Sequence, residues 1–297
     1  MAVDLHLHSK FSDGTSSLEE IVKLADDQNL SYISITDHEV VTDVSKINIP
    51  YKVKLISGCE VSVNWSSLSE NSKAGIHLLF YFVEIDSPLS NQLSHVRKNK
   101  IQRNNKIIKN LNNLGFELSE SELKPTDDEV LGRPHIAKLM VDKGYVSNTQ
   151  EAFDKYIGNG GPAYVDDHHL DIKELINLSI ESKAICILAH PHTLVIDSRK
   201  QKFSKQNWIN ENFVNQIREL IEIGIDGIEA FYPLYNKQTT KSLIDLSDSF
   251  NILHTGGSDF HGENKPNLNL GFGYENNPIS VPNYIVDNLF DRYEKLQ

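Results

Sequence analysis

Short apolar runs alternate along the chain with longer stretches in which apolar residues recur at helical spacing. Short apolar runs bounded by polar residues favour buried strands, and helical spacing favours helices that bury one face. A first strand carries the alternating run Asp4-Leu5-His6-Leu7-His8. Further strands are predicted at 32–36, 53–57, 74–85, 184–189, 227–231 and 251–255, and helices at 17–29, 90–114, 172–182, 210–223 and 236–250.

This alternation of strands and helices, with polar residues where strands end, is typical of a parallel α/β barrel or a doubly wound sheet. The segment 90–114 departs from it, because it is a long polar helix with many lysines and arginines. The alternation resumes at 172. We therefore predict a barrel formed by residues 1–88 and 168–297, and an inserted, mostly helical subdomain at 89–167.

Composition restricts the class of protein. The chain has 297 residues, 39% of them hydrophobic, which is enough to bury a large core. Its net charge of −12 argues against stable binding of duplex nucleic acid, although bound cations would make a cleft locally positive. The longest apolar run, 76–83, falls short of the ~20 residues of a membrane helix. No basic segment typical of a signal peptide opens the chain, so no membrane association and a cytoplasmic location are expected.

The two cysteines, Cys59 and Cys186, each lie inside an apolar run. Two isolated cysteines in a chain of this length argue against a disulfide framework. Both are therefore predicted to be buried and reduced.

His6 and His8 stand two residues apart in the first strand. Alternate side chains of a strand share one face, so a single metal ion could take an imidazole from each. Other histidines and carboxylates follow or lie within later predicted strands: Asp13, His38, Glu60, His77, His190, Asp259 and His261. Nitrogen and carboxylate ligands without thiolate suit Zn²⁺, Mn²⁺ or Fe²⁺ in a catalytic site.

The ordered series of these motifs resembles the PHP (polymerase and histidinol phosphatase) superfamily of metal-dependent phosphoesterases. The series consists of His6-x-His8, Asp13-Gly14, Thr36-Asp37-His38, Gly58-x-Glu60, Ala189-His190-Pro191 and Ser258-Asp259-x-His261. Three further motifs are similar to the subgroup of RNase AM (YciV or TrpH-like proteins) and related nucleotide phosphatases: Gly132-Arg133-Pro134-His135, the run 160–165, and Gly227-Ile228-Glu229. The resemblance covers almost the whole chain and implies a distorted (β/α)₇ barrel that resembles a TIM barrel and carries a helical insertion.

The resemblance also implies two or three divalent ions. One would be held by His6, His8, Glu60 and Asp259; a second by Glu60 as a bridge with His77 and His190; a third by Asp13, His38 and His261. His77 has a structural alternative, because it lies inside an apolar run without a distinctive motif around it.

Four residues are candidates for contacting substrate. Arg133 and His135 open a helix after Gly132. The helix N-terminus and the guanidinium could together bind a phosphate, although a solvated arginine is the simpler interpretation. His192 would share the face of His190 and is a candidate to bind phosphate or protonate a leaving group. Arg103 is either a substrate contact or part of a solvated helix face. No catalytic role is assigned to Glu229, His95, His168, His169 or His254, because only residue type recommends them.

The sequence thus predicts a phosphoric ester hydrolase acting on nucleotides or short 5′-phosphorylated oligonucleotides through a metal-activated hydroxide, as a 5′-3′ exoribonuclease or a nucleotide phosphatase. A small-metabolite phosphatase, for example one acting on histidinol phosphate, is the alternative within the same chemistry. An amidohydrolase also begins with His-x-His, but Asp13 and the terminal Asp-x-His favour phosphoesters. A non-catalytic metal-binding module would be expected to lack ligands, and here none is missing. The sequence leaves the oligomeric state open.

Overall fold

A computed structural model describes residues 2–47, 51–67, 73–123, 132–166, 170–195, 208–275 and 277–297. Within these ranges the principal strands are β1 (Ala2–Leu7), β2 (Leu30–Ile35), β3 (Lys54–Ser66), β4 (Lys73–Tyr81), β5 (Ile185–Leu188), β6 (Gly227–Phe231) and β7 (Leu253–Gly256). Four two-residue strands follow: β8 (Leu268–Asn269), β9 (Gly273–Tyr274), β10 (Asn277–Pro278) and β11 (Val281–Pro282).

The helices are α1 (Leu18–Asp27), α2 (Pro88–Asn113), α3 (Arg133–Asp142), α4 (Thr149–Ala152), α5 (Ile172–Glu181), α6 (Glu211–Ile223), α7 (Lys237–Phe250) and α8 (Tyr284–Glu294). Helix α1 begins as its sequence predicts, since Ser17 and Glu20 form a capping box in which each side chain accepts a hydrogen bond from the other's backbone N–H. No helix among the described residues is both long enough and apolar enough to cross a membrane.

Eight of the described strands form one sheet in the order β11-β1-β2-β3-β4-β5-β6-β7. The sheet is nearly closed, because Leu7 and Phe260 form a parallel bridge between the end of β1 and the segment after β7. The backbone N–H of His8 donates to the carbonyl of Phe260 at 2.9 Å, and that of Asp259 donates to the carbonyl of His6 at 2.8 Å. The predicted class, an α/β protein with a distorted barrel, is confirmed.

The sheet is not parallel throughout, and the predicted ends of two strands are wrong. The strand predicted at 74–85 ends at Tyr81. The sequence predicts that the third strand ends at Ser57, but β3 continues to Ser66 and pairs antiparallel with β4. Buried residues alternate with more exposed ones from Val61 to Ser66, which is the two-residue period of a strand with one covered face. Gly58 lies inside this strand and does not end it. Glycine is needed there for a close approach to β2, because a Cβ would lie 2.6 Å from Oγ of Ser34.

The chain divides into two compact units, Met1–Asn91 with Leu170–Gln297, and Gln92–His169. The first unit contains the barrel, whose buried apolar side chains include Val3, Leu5, Ile187 and Leu289. The second unit has an apolar cluster of its own, with Ile107, Leu111, Ile136, Met140 and Ile157 among its buried members. Asp167, the last residue of the predicted insertion, lies outside the described residues, as do His168 and His169.

Candidate metal centre and its surroundings

His6 and His8 are fully buried and lie on one face of the end of β1. Their Nε2 atoms are 3.2 Å apart. Leu5 and Leu7, which alternate with these histidines, pack into apolar clusters on the other side of the strand. The alternation read from the sequence therefore gives the strand one apolar face and one face that presents imidazoles.

Glu60 lies at the centre of the surrounding histidines. Its Oε1 is 2.9 Å from Nδ1 of His77 and 3.1 Å from Nε2 of His190. Its Oε2 is 3.1 Å from Nε2 of His8 and 3.4 Å from Nε2 of His6. Each carboxylate oxygen thus contacts a different pair of imidazoles, as a bridging ligand would require.

The strand register brings His77 to Glu60. Within the β3–β4 hairpin, Glu60 is opposite Leu79, and Ser62 is opposite His77. Positions 60 and 62 share one face of β3, so His77 is a diagonal neighbour of Glu60 on that same face. This antiparallel pairing was not predicted from the sequence. The contact supports the metal-ligand interpretation of His77 over the structural alternative.

Asp259 and His261 follow β7, and the sequence before them lets the chain pass close to β1. A Cβ at Gly257 would lie 2.4 Å from Cβ of His6, so only glycine fits there without a shift. Asp259 has a positive φ of 54°, a conformation that is uncommon outside glycine and that is often found at functional sites. Its Oδ1 lies 3.5 Å from Nε2 of both His6 and His8.

The second oxygen of Asp259 is held from the opposite side. Oδ2 accepts a hydrogen bond from the hydroxyl of Tyr232 at 2.8 Å and an ion-paired hydrogen bond from Nζ of Lys265. Asp259 therefore presents one oxygen to the histidines. Neither Tyr232 nor Lys265 belongs to a motif that the sequence analysis singled out.

Asp13 joins the remaining two predicted ligands. Its Oδ1 is 3.3 Å from Nε2 of His261 and 3.4 Å from Nδ1 of His8. Its Oδ2 is 3.7 Å from Nε2 of His38. His38 also approaches Glu60, with its Nδ1 3.5 Å from Oε2. The structure therefore brings all nine predicted ligands into one continuous cluster.

Electrostatics within the cluster favour ionised carboxylates. Burial raises the pKa of Glu60, but the positive charges of His77 and His6 outweigh burial and hold that pKa well below its usual range. Burial lowers the pKa of His6, whereas the charges of Glu229 and Glu60 raise it well above its ordinary value. Burial and the charge of His261 lower the pKa of His8 to about 3. His8 is therefore neutral at neutral pH, the form in which an imidazole binds a metal.

The donor set fits divalent ions. Among the described residues, ligand atoms within 4.8 Å of one another form three groups: His8, Asp13, His38 and His261; His6, His8 and Glu60; and His38, Glu60 and His77. Nδ1 of His190 is a buried atom without a hydrogen-bond partner, and the contacts of Asp13 Oδ1 and His38 Nδ1 given above lack hydrogen-bond geometry. Buried polar atoms normally have partners, and a coordinated ion would satisfy such atoms. The groups differ from the sets implied by resemblance, because His8 also faces Asp13 and His38 also faces Glu60.

Three buried carboxylates behind the ligands were not recognised from the sequence as part of the site. Asp37 accepts the backbone N–H of Ser9 at 2.8 Å and the hydroxyls of Ser9 and Ser12. Asp4 accepts the backbone N–H of Ser258 at 2.8 Å, and burial raises the pKa of Asp4 to about 6. The third is Glu229, the middle residue of β6. Its signal was a carboxylate inside an otherwise apolar strand, which was not taken as a reason to place it in the site.

His192 lies two residues beyond His190, in a short 3₁₀ helix. It is buried, and its Nδ1 is 2.8 Å from the hydroxyl of Tyr235. Burial and the positive charge of His190 lower the pKa of His192 to about 3. The ring also packs near Tyr232 and Trp208, at centroid distances of 5.5 Å and 6.3 Å. His192 is thus a neutral imidazole fixed in an aromatic setting beside a predicted ligand.

The other candidate substrate residues lie in the second unit. Arg133 is the first residue of α3, and its guanidinium carbon is 5.7 Å from the ring centroid of Tyr164. Nδ1 of His135 accepts the backbone N–H of Gly132 at 3.1 Å, so this ring caps the helix start. Arg103 is a buried residue of α2.

Comparisons with known proteins agree on one family. The model of the PHP domain matches residues 4–228. A 5′-3′ exoribonuclease from Haemophilus influenzae is 28% identical over 262 residues, covering 87% of this chain and 89% of that protein. A 3′,5′-nucleoside bisphosphate phosphatase from Chromobacterium violaceum is 22% identical over 290 residues, covering 94% of each. A solved structure from Bifidobacterium adolescentis, provisionally named a metal-dependent phosphoesterase, has a TM-score of 0.73 at 21% identity, covering 98% of this chain and 96% of that one.

Proposed function

The chain belongs to the PHP domain family, and we propose that it hydrolyses phosphate esters of nucleotides or of short 5′-phosphorylated oligonucleotides. As a member of this family it is a phosphoesterase, a hydrolase that acts on phosphoric esters. The substrate class is supported by two relatives, one named as an exoribonuclease and one as a nucleoside bisphosphate phosphatase.

The convergence of the predicted ligands carries the proposal. Glu60 alone contacts four imidazoles within 3.4 Å, and these come from β1, β4 and the loop after β5. Asp13 and Asp259 add carboxylate oxygens from two other loops. Structural zinc sites are usually closed by four ligands, so a larger cluster of mixed nitrogen and oxygen donors favours a catalytic centre with more than one ion.

Two or three ions, Mn²⁺, Fe²⁺ or Zn²⁺, would be held by His6, His8, Asp13, His38, Glu60, His77, His190, Asp259 and His261. Bound there, they would supply Lewis acidity that polarises phosphate oxygens and lowers the pKa of water near the phosphorus. Glu60 would face two ions, one from each oxygen. Tyr232 and Lys265 would keep Oδ2 of Asp259 occupied, so that only Oδ1 is offered as a ligand.

His192 would contact the phosphate as a hydrogen-bonding group. Its lowered pKa makes it neutral at neutral pH, so it would orient an oxygen without adding a fixed positive charge. The hydrogen bond with Tyr235 holds the ring in one orientation. Protonation of the leaving oxygen, the other role suggested by the sequence, would need the imidazolium form, which this buried setting disfavours at neutral pH.

Arg133 would bind a substrate phosphate at the start of α3. Gly132 at the N-cap has no side chain to cap the helix, and a helix N-terminus beside a guanidinium favours an anion. His135 already uses Nδ1 to accept the Gly132 N–H, so only its other ring nitrogen would remain for substrate. Arg103 is proposed as an additional substrate contact from the same unit.

A substrate panel with metal-reconstituted protein tests the function. It compares nucleoside 5′-monophosphates, 3′,5′-bisphosphates, 5′-phosphorylated RNA and DNA oligonucleotides, and histidinol phosphate. We expect the highest kcat/KM on a nucleotide or an oligonucleotide, and no activity after chelation. A preference for histidinol phosphate would replace the proposal with the small-metabolite alternative, and turnover that survives chelation would contradict a metal-dependent reaction.

A further inference from the structure

Glu229 is a fully buried carboxylate at the third position of β6. Its Oε1 is 3.0 Å from Nδ1 of His6, and its Oε2 accepts the backbone N–H of His190 at 2.7 Å. One side chain therefore contacts two predicted ligands, one in β1 and one in the loop after β5. We propose that Glu229 is a positioning residue that fixes the tautomer of His6 and the backbone turn at His190, and thereby sets the affinity of the centre for divalent ions. The inference rests on the proposed metal-dependent function.

The two nitrogens of His6 face in opposite directions. Nδ1 faces Glu229, whereas Nε2 lies 3.4 Å from Oε2 of Glu60 and 3.5 Å from Oδ1 of Asp259. An ionised carboxylate can only accept hydrogen bonds, so Nδ1 of His6 must carry the proton in this contact. The lone pair of a neutral ring then lies on Nε2, on the side of the other ligands. Carboxylates behind metal-binding histidines act in this way.

The contact with His190 serves the second ligand. His190 has φ of 28° and ψ of 64°, a left-handed backbone conformation that costs energy for a residue with a Cβ. Because Glu229 accepts the N–H of this residue, it favours the turn that brings Nε2 of His190 to 3.1 Å from Oε1 of Glu60. Ile228, the neighbour of Glu229, pairs with Leu188 at the end of β5, so the sheet fixes the distance between the two segments.

Glu229→Gln separates this role from simple packing. Glutamine has nearly the same shape, but it has one acceptor and one donor where glutamate has two acceptors. If the amide nitrogen faces His6, it donates to Nδ1 and moves the ring proton to Nε2, where it blocks the metal. If the amide nitrogen faces His190, two N–H groups oppose each other and the turn loses its acceptor. Either orientation impairs one ligand.

Asp226→Asn is the matched control. Asp226 also accepts a backbone N–H, that of Cys186 at 2.8 Å, and it pairs with Arg292 at 2.7 Å. It lies just before the first residue of β6 and contacts none of the predicted ligands that the structure describes. Its substitution should lower the free energy of unfolding without changing the affinity for ions.

The experiment titrates Mn²⁺ and Zn²⁺ into chelator-treated full-length protein by calorimetry, with circular dichroism and thermal unfolding as checks of folding. We expect Glu229→Gln to weaken binding of at least one ion by about 10- to 100-fold, as loss of such supporting carboxylates commonly does. Asp226→Asn should bind ions like the wild type. Equal affinity in Glu229→Gln and wild type, or an equal loss in both variants, would overturn the inference.

Two further outcomes are distinguishable. If the wild type itself binds no ion, the proposed function fails, and the inference fails with it. If Glu229→Gln does not fold, Glu229→Asp takes its place, because its carboxylate is one methylene too short to reach Nδ1 of His6. A folded Glu229→Asp should lose about tenfold in affinity, and binding at the wild-type affinity would overturn the inference.

Discussion

Replacing Glu60 by glutamine should damage the metal centre more than any other single substitution of similar size. Oε1 of Glu60 contacts His77 and His190, and Oε2 contacts His8 and His6, at distances from 2.9 to 3.4 Å. A side chain that bridges two ions would remove one charged ligand from each when it loses its charge. An interaction with a charged group contributes about 1.5–3 kcal/mol, which is roughly 10- to 150-fold in affinity for each ion. For two ions the combined loss is on the order of 10² to 10⁴.

The assay measures bound ions by elemental analysis and their dissociation constants by calorimetry. Wild-type protein should retain two or three divalent ions per chain after loading and desalting. Glu60→Gln should retain fewer, and its phosphoesterase activity at limiting metal should fall with the ion content. Glu222→Gln, an exposed position on α6, makes the same change in net charge and should behave like the wild type.

The result that refutes this reasoning is specific. If Glu60→Gln binds as many ions as the wild type with the same affinity, Glu60 is not a bridge, and its contacts with the histidines are only hydrogen bonds. If one ion is lost while the affinity for the others is unchanged, Glu60 serves a single ion. Weaker binding of two ions is the outcome that the geometry predicts.

Three other predictions follow from the described contacts. Arg133→Ala should lower kcat/KM by roughly 10²-fold, as the loss of a charge-assisted hydrogen bond would, with ion content unchanged and partial rescue by lysine. Lys138→Ala, which removes an exposed cation of the same helix, is the control. Unchanged kinetics in Arg133→Ala would mean that Arg133 is only a solvated cation. Ion affinity should fall from pH 8 to pH 6. Nearby carboxylates outweigh burial and raise the pKa of His6, His77 and His261, so these rings must lose protons before they bind metal. Dissociation constants from calorimetry that do not change with pH would contradict this. Burial lowers the pKa of His254, so the folded state binds fewer protons there than the unfolded state, and stability is lost as pH falls below about 6.5. His254→Gln should therefore show a smaller drop in Tm between pH 8 and pH 5 than the wild type. An identical drop in both proteins would exclude this histidine as the cause.

Much of the barrel could be predicted because its strands are short apolar runs separated by amphipathic helices. Strand β6 was predicted with its observed limits, and α6 within one residue of them. The antiparallel β3–β4 hairpin could not be predicted in the same way. Strand pairing direction is decided by tertiary contacts, and the local pattern of β3 does not reveal its partner. The residues after 256 include strands of only two residues, too short to leave a periodic signal.

Most of the predicted ligands could be found from sequence because they lie near a strand end or in a distinctive motif, and His77, in the middle of β4, is the exception. Only tertiary structure shows how the predicted ligands are grouped. His8 illustrates the difference. Its Nε2 faces Glu60 and its Nδ1 faces Asp13, so the ring lies between two groups of donors. The resemblance assigned it to one ion only. A ring nitrogen's direction depends on side-chain rotation, which a sequence does not record.

Glu229 shows why a supporting residue is harder to predict than a ligand. Ligands share one property, the capacity to donate an electron pair, and that property can be read from residue type. A supporting carboxylate is defined by the donors that face it, and these come from residues 223 and 39 positions away in the chain. Asp4 and Asp37 belong to the same class, since each is buried and accepts a backbone N–H near a predicted ligand. A buried carboxylate without partners would be costly, so each of these residues is retained only where the fold supplies N–H or O–H donors. The carboxylates proposed to orient the metal centre are thus products of the completed barrel, whereas the predicted ligands are already visible in the chain.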